Sequence, residues 1–422
     1  MDDMIRSPKT PKKEGPKLDT FRDNSSSEPV ESTPDSSAEN QPPVEDSSFL
    51  GEPEQSVPAK REKHFKKWPL KHLPIYKRRD LYFILLGVVL ITAVGMAAWF
   101  KFIHNKPVTQ GAVVVVAHAK KVPPKPTTVA SPLSGVQVTP EQAAMPVTGV
   151  MIENSPDARP QSGLKDAGIV YEAIAEGGIT RFLALFQDTN PGYVGPIRSA
   201  RPYYLDWALP FQASLAHVGG SPDALAQIQS LGVRNLDQFA NSAAYTRITQ
   251  RYAPHNVYTS IDRLVELEKS KGFNTSTYTS FPRKVAAPVK PPTASTIDFN
   301  ISGYLYNPTY VYDPATNTYR RSEGGEPHVD EKSGVQIAPT VVIALVMTNT
   351  LSDDGIHNIY ATTGSGNMYV FQDGTVTEGT WSKADRPSQF KFADSKGAVL
   401  KLNPGQTWIS IVGSQSAVTY KP

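Results

Sequence analysis

Residues able to do chemistry gather in three places along this chain. Glu153-Asn154-Ser155-Pro156-Asp157-Ala158-Arg159-Pro160 follows an apolar run, where a loop can project side chains from the end of a rigid strand. Glu172 and Glu176 precede Gly177-Gly178 and Thr180-Arg181, and Gly195-Pro196-Ile197-Arg198-Ser199-Ala200-Arg201 brings two guanidinium groups to a predicted helix start. His217 stands before Gly219-Gly220-Ser221, and His255 lies within Ala253-Pro254-His255-Asn256. Uncapped helical N–H groups, the helix dipole and forked Arg donors together favour an anion at the second of these places.

Several chemistries compete for these side chains. Arg181, Arg198 and Arg201 can pair with Glu153, Glu172 and Glu176 as an internal ion network, or can hold a carboxylate or phosphate-bearing ligand. Two histidines with carboxylates suggest zinc, but no His-x-x-x-His spacing supports it, so neither metal nor cofactor is expected. Glu172 and Glu176 are alternatively an acid and base for a glycoside. The Gly219-Gly220 turn lacks the lysine of a phosphate loop and reads as an ordinary strand-to-helix connection. The ligand-binding candidates are Glu153, Asn154, Arg159, Glu172, Glu176, Arg181, Arg198, Arg201, His217, Ser221 and His255, with no catalytic residue assigned.

The elements that position them read as an α/β lobe over 147–282. Short apolar runs at Val147–Ile152, Ile169–Ala175 and Arg181–Phe186 predict strands. A helix is expected from Ser199, since Ala200, Tyr203, Tyr204, Trp207 and Ala208 recur on one face. Gln212–Val218 predicts a buried strand, followed by a helix capped by Ser221 with Pro222 first and Gly232 after it. Another helix, Ile261–Lys271, has Thr259 or Ser260 as cap and Gly272 as stop.

After a Pro- and Lys-rich linker over 283–296, the pattern over 297–422 turns to period two. Tyr310–Tyr312 and Thr318–Arg320 flank a turn, Val341–Met347 predicts a buried strand, and Asp373-Gly374 is a hairpin signal. Lys391–Trp408 predicts a further hairpin about Ser395-Lys396-Gly397. This lobe is expected to be mainly antiparallel β, making the whole α+β. Tyr319-Arg320-Arg321 and His328-Val329-Asp330 read as surface loop, and Tyr304, Tyr306, Tyr310, Tyr312 and Tyr319 as an exposed aromatic platform or as pairs packed across strands.

Upstream, Leu81–Phe100 carries no charge and is long enough to cross a bilayer as a helix, so a transmembrane segment is expected over 81–103. The segment to Lys60 has a net charge of about −6 and Arg61–Arg79 about +7, which by the positive-inside tendency places the N-terminus in the cytoplasm and the later domains outside. Residues 1–60 are too polar to bury a core and are expected to be a disordered tail; 61–80 form a basic juxtamembrane segment, and 104–146 a Pro-rich stalk. With a formal net charge of +3 and its basic block beside the membrane, the chain is not a nucleic-acid binder by composition. The absence of cysteine excludes a thiol nucleophile and leaves stability to the core.

Taken together, Met151-Ile152-Glu153-Asn154, Ala158-Arg159-Pro160-Gln161-Ser162-Gly163-Leu164, Val170-Tyr171-Glu172-Ala173, Glu176-Gly177-Gly178-Ile179-Thr180-Arg181-Phe182, Gly195-Pro196-Ile197-Arg198-Ser199-Ala200-Arg201, His217-Val218-Gly219-Gly220-Ser221-Pro222 and Ala253-Pro254-His255-Asn256 resemble the YerB-like lipoprotein family. Val311-Tyr312-Asp313, Tyr319-Arg320-Arg321, His328-Val329-Asp330, Thr363-Gly364-Ser365-Gly366, Trp381 and Thr407-Trp408-Ile409 extend the resemblance to its C-terminal domain. It implies a two-part extracytoplasmic protein of the bacterial cell envelope with no established activity. Many such proteins are anchored by a lipidated cysteine, which this chain lacks. The expected role is binding or scaffolding toward cell-wall polymer or an envelope enzyme, with Arg181, Arg198, Arg201 and His217 on the recognising side. The alternative is a hydrolase of wall glycan or peptide using Glu172, Glu176, His217 and His255.

Overall fold

The computed structural model describes residues 78–104 and 127–422; the tail over 1–60, the juxtamembrane basic run to Lys77 and the part of the expected stalk over 105–126 lie outside the described residues. The chain divides into two compact units, and each is described by itself.

In the first unit, a helix spans Arg78–His104, of which Phe83–His104 is long and apolar enough to cross a membrane. Its side chains from Phe83 onward are all exposed. A helix apolar all round has the composition of a membrane span. Thr92 is accommodated there because its hydroxyl donates back to the carbonyls of Val88 and Val89, each at 2.9 Å.

The second unit is organised on a ten-stranded sheet. Its order is Lys391–Asp394, Thr375–Lys383, Gly364–Gln372, Val341–Val346, Thr407–Val412, Ile169–Glu176, Ile179–Phe186, Thr148–Glu153, Ser214–Ala216 and Arg234–Asn235. Thr407–Val412 joins the two sequence halves, running parallel both to Val341–Val346 and to Ile169–Glu176, with Trp408 opposite Val170 and Ile409 opposite Tyr171. Thr148–Glu153, Ser214–Ala216 and Arg234–Asn235 form a second parallel group. Thr148–Glu153, Val341–Val346 and Thr407–Val412 are buried on both faces, which is why they read as largely apolar runs.

One face is covered by the helices Pro202–Ala208 and Pro222–Ser230, which bury Tyr203, Tyr204, Trp207, Ala224 and Ile228. The other face meets the helix Ile261–Ser270 and an antiparallel sheet of five strands, ordered Glu326–Pro327, Thr318–Glu323, Pro308–Asp313, Thr296–Phe299 and Val418–Lys421. The architecture is α+β. At the hairpin tip, Asp373 and Gly374 adopt φ values of 60° and 74°, the left-handed pair a two-residue turn requires.

Some local expectations are revised. The helix expected at Ser199 begins only at Pro202, because Ala200 is held extended by bonds with Gly219 and Ser221. Beyond Gly397 the chain bridges back to its own hairpin only at Ala393 with Val399, Leu402 bridging Arg283 instead, so Trp408 belongs to a central strand rather than to a hairpin arm. Tyr310, Tyr312 and Tyr319 face the core instead of forming a platform; Tyr304 alone of the five is exposed, with Tyr306 half-buried. Arg321, His328 and Asp330 are buried, not surface loop. Residues from Thr127 onward are part of the folded unit, where Leu133 packs into the core.

Candidate functional site

The strands Thr148–Glu153, Ser214–Ala216 and Arg234–Asn235 are parallel, so their carboxyl ends lie at one edge, where open α/β sheets commonly hold ligands. Glu153, the last residue of the first strand, is the hub of this edge. Its Oε1 accepts from Arg198 Nε at 3.2 Å and from Ser155 Oγ at 3.1 Å, and its Oε2 meets His255 Nδ1 at 3.0 Å. Arg198 retains 26% side-chain exposure and His255 20%. Among the described residues, the terminal Nη groups of Arg198 make no hydrogen bond to protein. Two exposed rings adjoin the same loops: Phe239, 69% exposed and lying over Gly219, and Tyr252, 93% exposed, in a turn closed by the His255 N–H donating to its carbonyl.

This arrangement is not a hydrolytic triad. In such a triad the serine and the acid engage opposite imidazole nitrogens. Here Ser155 and Glu153 both address His255 Nδ1, and Nε2 faces Asp157 at 3.9 Å.

The second cluster closes on itself. Glu176 receives Arg181 Nη2 on Oε1 and Arg201 Nη2 on Oε2, each at 2.5 Å. Burial would raise the Glu176 pKa, but the two guanidinium groups outweigh it and hold the pKa below the usual carboxylate range. Arg181 also donates to the Ser199 carbonyl and Arg201 to that of Ala200, so both buried arginines fasten the segment before the helix. An internal ion pair, one of the two readings of these arginines, is what forms.

His217 is fully buried, with Nδ1 2.7 Å from the Gly219 carbonyl and Nε2 3.0 Å from Asn235 Oδ1. It has no free nitrogen for a ligand and braces the Gly219-Gly220 turn, which Asp237 closes by accepting from the Gly219 N–H at 2.9 Å. Ser221 is spent as a cap, accepting from the Ala224 N–H.

Glu172 lies in a buried polar knot that the first-lobe residues alone do not reveal. Its Oε1 pairs with Arg321 Nη2 at 2.8 Å, and its Oε2 accepts from Trp408 Nε1 at 2.9 Å and Ser410 Oγ at 3.1 Å. Burial raises the Glu172 pKa, Arg321 opposes it, and Glu323 adds to it. Arg321 also bonds Glu323 at 3.1 Å and donates to His328 Nδ1. Since arginine only donates, His328 carries its proton on Nε2, which gives it to Gln161 Oε1 at 2.9 Å. Gln161 continues to the Glu153 carbonyl and to Asn154 Oδ1. Asn154 Nδ2 returns to Glu323 at 2.7 Å, and Arg159 bonds Asn154 while standing 3.4 Å from Glu323 and 5.2 Å above the Tyr306 ring.

Of the eleven sequence candidates, the edge gathers Glu153, Arg198 and His255, with Asn154 and Arg159 linking it to the buried knot. Glu176, Arg181, Arg201, His217 and Ser221 serve the frame, and Glu172 the buried knot. Neither Glu172 nor Glu176 bonds either histidine, so the expected acid–base grouping does not form. Arg321, Glu323 and His328 escaped the candidate set, although Tyr319, Arg321 and Glu323 alternate at period two and so share the inward face of their strand.

Comparison with known proteins follows the same two halves. Residues 133–274 match the N-terminal domain, and residues 296–409 the C-terminal domain, of a protein of unknown function (DUF3048). The chain is similar to YerB of Bacillus subtilis (strain 168), a protein named as a lipoprotein, with 32% identity over 265 residues, covering 61% of this chain and 78% of that one. The crystal structure of YerB superposes with a TM-score of 0.63 at 28% identity, covering 70% of this chain and all of the other.

Proposed function

This chain belongs to the YerB-like two-domain family, DUF3048, and from that premise we propose that it is a single-pass envelope protein whose exterior domains bind anionic cell-wall polymer. The helix Arg78–His104 is the anchor, with its basic flank on the cytoplasmic side and the residues after it outside. The observation that carries the binding reading is Arg198: one bond ties its Nε to Glu153, and the outer fork of the guanidinium is left for a phosphate or carboxylate. Phe239 and Tyr252 offer flat apolar faces nearby for sugar rings. A binding role is favoured over hydrolysis because Glu172 and Glu176 are occupied by arginines and the Ser155–His255 geometry is unsuited to attack.

The test is co-sedimentation of the full-length protein, in detergent, with isolated cell-wall sacculi at low salt. Arg198→Ala is expected to lower retention by about tenfold while leaving the fold intact, since the buried Glu153 keeps its contacts with Ser155 and His255. Equal retention of variant and wild type would refute the assignment.

A further inference from the structure

Away from the Glu153 edge, a groove of about 880 Å³ runs between the segment Thr277–Pro282 and the loop before the strand Lys391–Asp394. Its floor is a stack of phenylalanines. Phe281 and Phe392 lie 5.2 Å apart at 22°, and Phe392 and Phe390 6.0 Å apart at 15°. Lys383 holds the loop wall in shape by donating to the carbonyls of Asp385, Arg386 and Ser388.

The opposite wall has an unusual main chain. It is fastened at one end by the Thr277 N–H, which donates to Gln212 Oε1 at 2.9 Å, and at the other by the Pro282 carbonyl, which accepts from the Leu402 N–H at 2.8 Å. Tyr278 and Phe281 are pinned inward, Tyr278 by a 2.6 Å bond to Gln187 and Phe281 by burial. Between the fastenings, the backbone of Tyr278, Thr279, Ser280 and Phe281 makes no hydrogen bond to protein among the described residues. The stretch contains no turn or helix and runs on into a parallel bridge between Arg283 and Leu402. These four residues leave their main-chain donors and acceptors open to solvent or to a guest. The groove also carries Lys391, exposed and without an ion pair among the described residues.

We propose that this groove docks an extended, acidic segment of another polypeptide, which pairs main chain to main chain with Tyr278–Phe281. Alternate apolar side chains of the guest rest on the phenylalanine stack, and its carboxylate meets Lys391. A lipid tail suits the floor but would cover the unpaired amides and carbonyls without bonding them, which is unfavourable. A second extended chain can bond them, as peptides do where they add main chain to main chain.

The test is fluorescence anisotropy with the full-length protein in nanodiscs and a labelled heptapeptide, Ser-Val-Glu-Val-Thr-Val-Ser. A second probe of the same sequence has its three valine amides N-methylated, which removes main-chain pairing and keeps the side chains. Saturable binding of the first probe is expected, with the methylated probe and the variant Ser280→Pro each about tenfold weaker. Ser280 is exposed and its N–H is unpaired, so proline removes the donor without breaking a bond of the folded state. An unchanged melting temperature confirms that the fold is kept; were it to fall, the methylated probe on the wild-type protein decides alone. No saturable binding, or equal binding of the two probes, overturns the proposal.

Discussion

Glu172 and Arg321 are separated by 149 positions in sequence and by 2.8 Å in the fold, and neither side chain has any exposed surface. Glu172 belongs to the ten-stranded sheet and Arg321 to the five-stranded one, so their bond ties the two sheets together. The guanidinium lies 4.6 Å from the Trp408 ring centroid, and Trp408 itself donates to Glu172. Burial would weaken the hold of Arg321 on its proton, but Glu172 and Glu323 more than restore it, so the group stays charged. A charge kept in the interior is stable only while its partners remain.

Arg321→Met should therefore destabilise the protein by about 3–5 kcal/mol, because it strands Glu172 and Glu323 without their shared cation. The midpoint of urea unfolding, followed by tryptophan fluorescence, reads this out. A loss below about 1 kcal/mol would mean that the carboxylates find other compensation.

Glu268 predicts a pH dependence of one sign. It is fully buried and accepts from Thr148 Oγ1 at 2.9 Å, and burial pushes its pKa from 4.5 up to about 7 against the hydroxyls of Thr148 and Ser214 and the charge of Arg234. The folded state keeps a proton that the unfolded chain releases, so stability from this residue is present below pH 4.5 and is lost as pH rises to about 7. At about 1.36 kcal/mol per unit the loss is roughly 3 kcal/mol at most. Glu268→Gln should be more stable than wild type at pH 8, with the advantage shrinking toward pH 4.5. Identical profiles for the two proteins would remove this account.

His328 predicts the opposite slope. Burial first, and then the charge of Arg321, push its pKa from 6.5 down to about 3. Below pH 6.5 the unfolded chain takes up a proton that the folded state refuses, so stability falls as pH drops toward 3. Between pH 6.5 and 5 this amounts to about 2 kcal/mol. In His328→Gln that part of the acid slope should vanish, whatever the variant's absolute stability, and urea titrations at the two pH values compare the slopes directly. An unchanged slope would show that another group carries the acid sensitivity.

The sequence displays the frame more readily than the knot, for a physical reason. Strands such as Ile169–Glu176 and the capped helix Pro222–Ser230 follow from local apolar runs and from the Ser221-Pro222 signal, which no distant contact needs to supply. The place of Thr407–Val412 between the two halves depends on pairing with the distant strands Val341–Val346 and Ile169–Glu176, which local periodicity does not carry. In the same way Glu153, Arg198 and His255 could be singled out by type, but which acid takes which arginine is decided by strand direction. Glu153 and Arg181 are opposite one another in register, yet Arg181 turns to Glu176 and Glu153 to Arg198.

The absence of cysteine makes the membrane orientation directly measurable. A single cysteine placed at Ser416, an exposed position of the folded unit, should react in intact cells with a maleimide too polar to cross the bilayer. A single cysteine at Ser25, before the basic run, should react only after lysis. In the proposed orientation the apolar helix separates the two positions, and the positive-inside bias would retain the lysine- and arginine-rich flank that precedes it on the cytoplasmic side. Labelling of the Ser25 variant in intact cells, with the Ser416 variant protected, would invert the orientation and place the Arg198 edge beyond reach of any wall polymer.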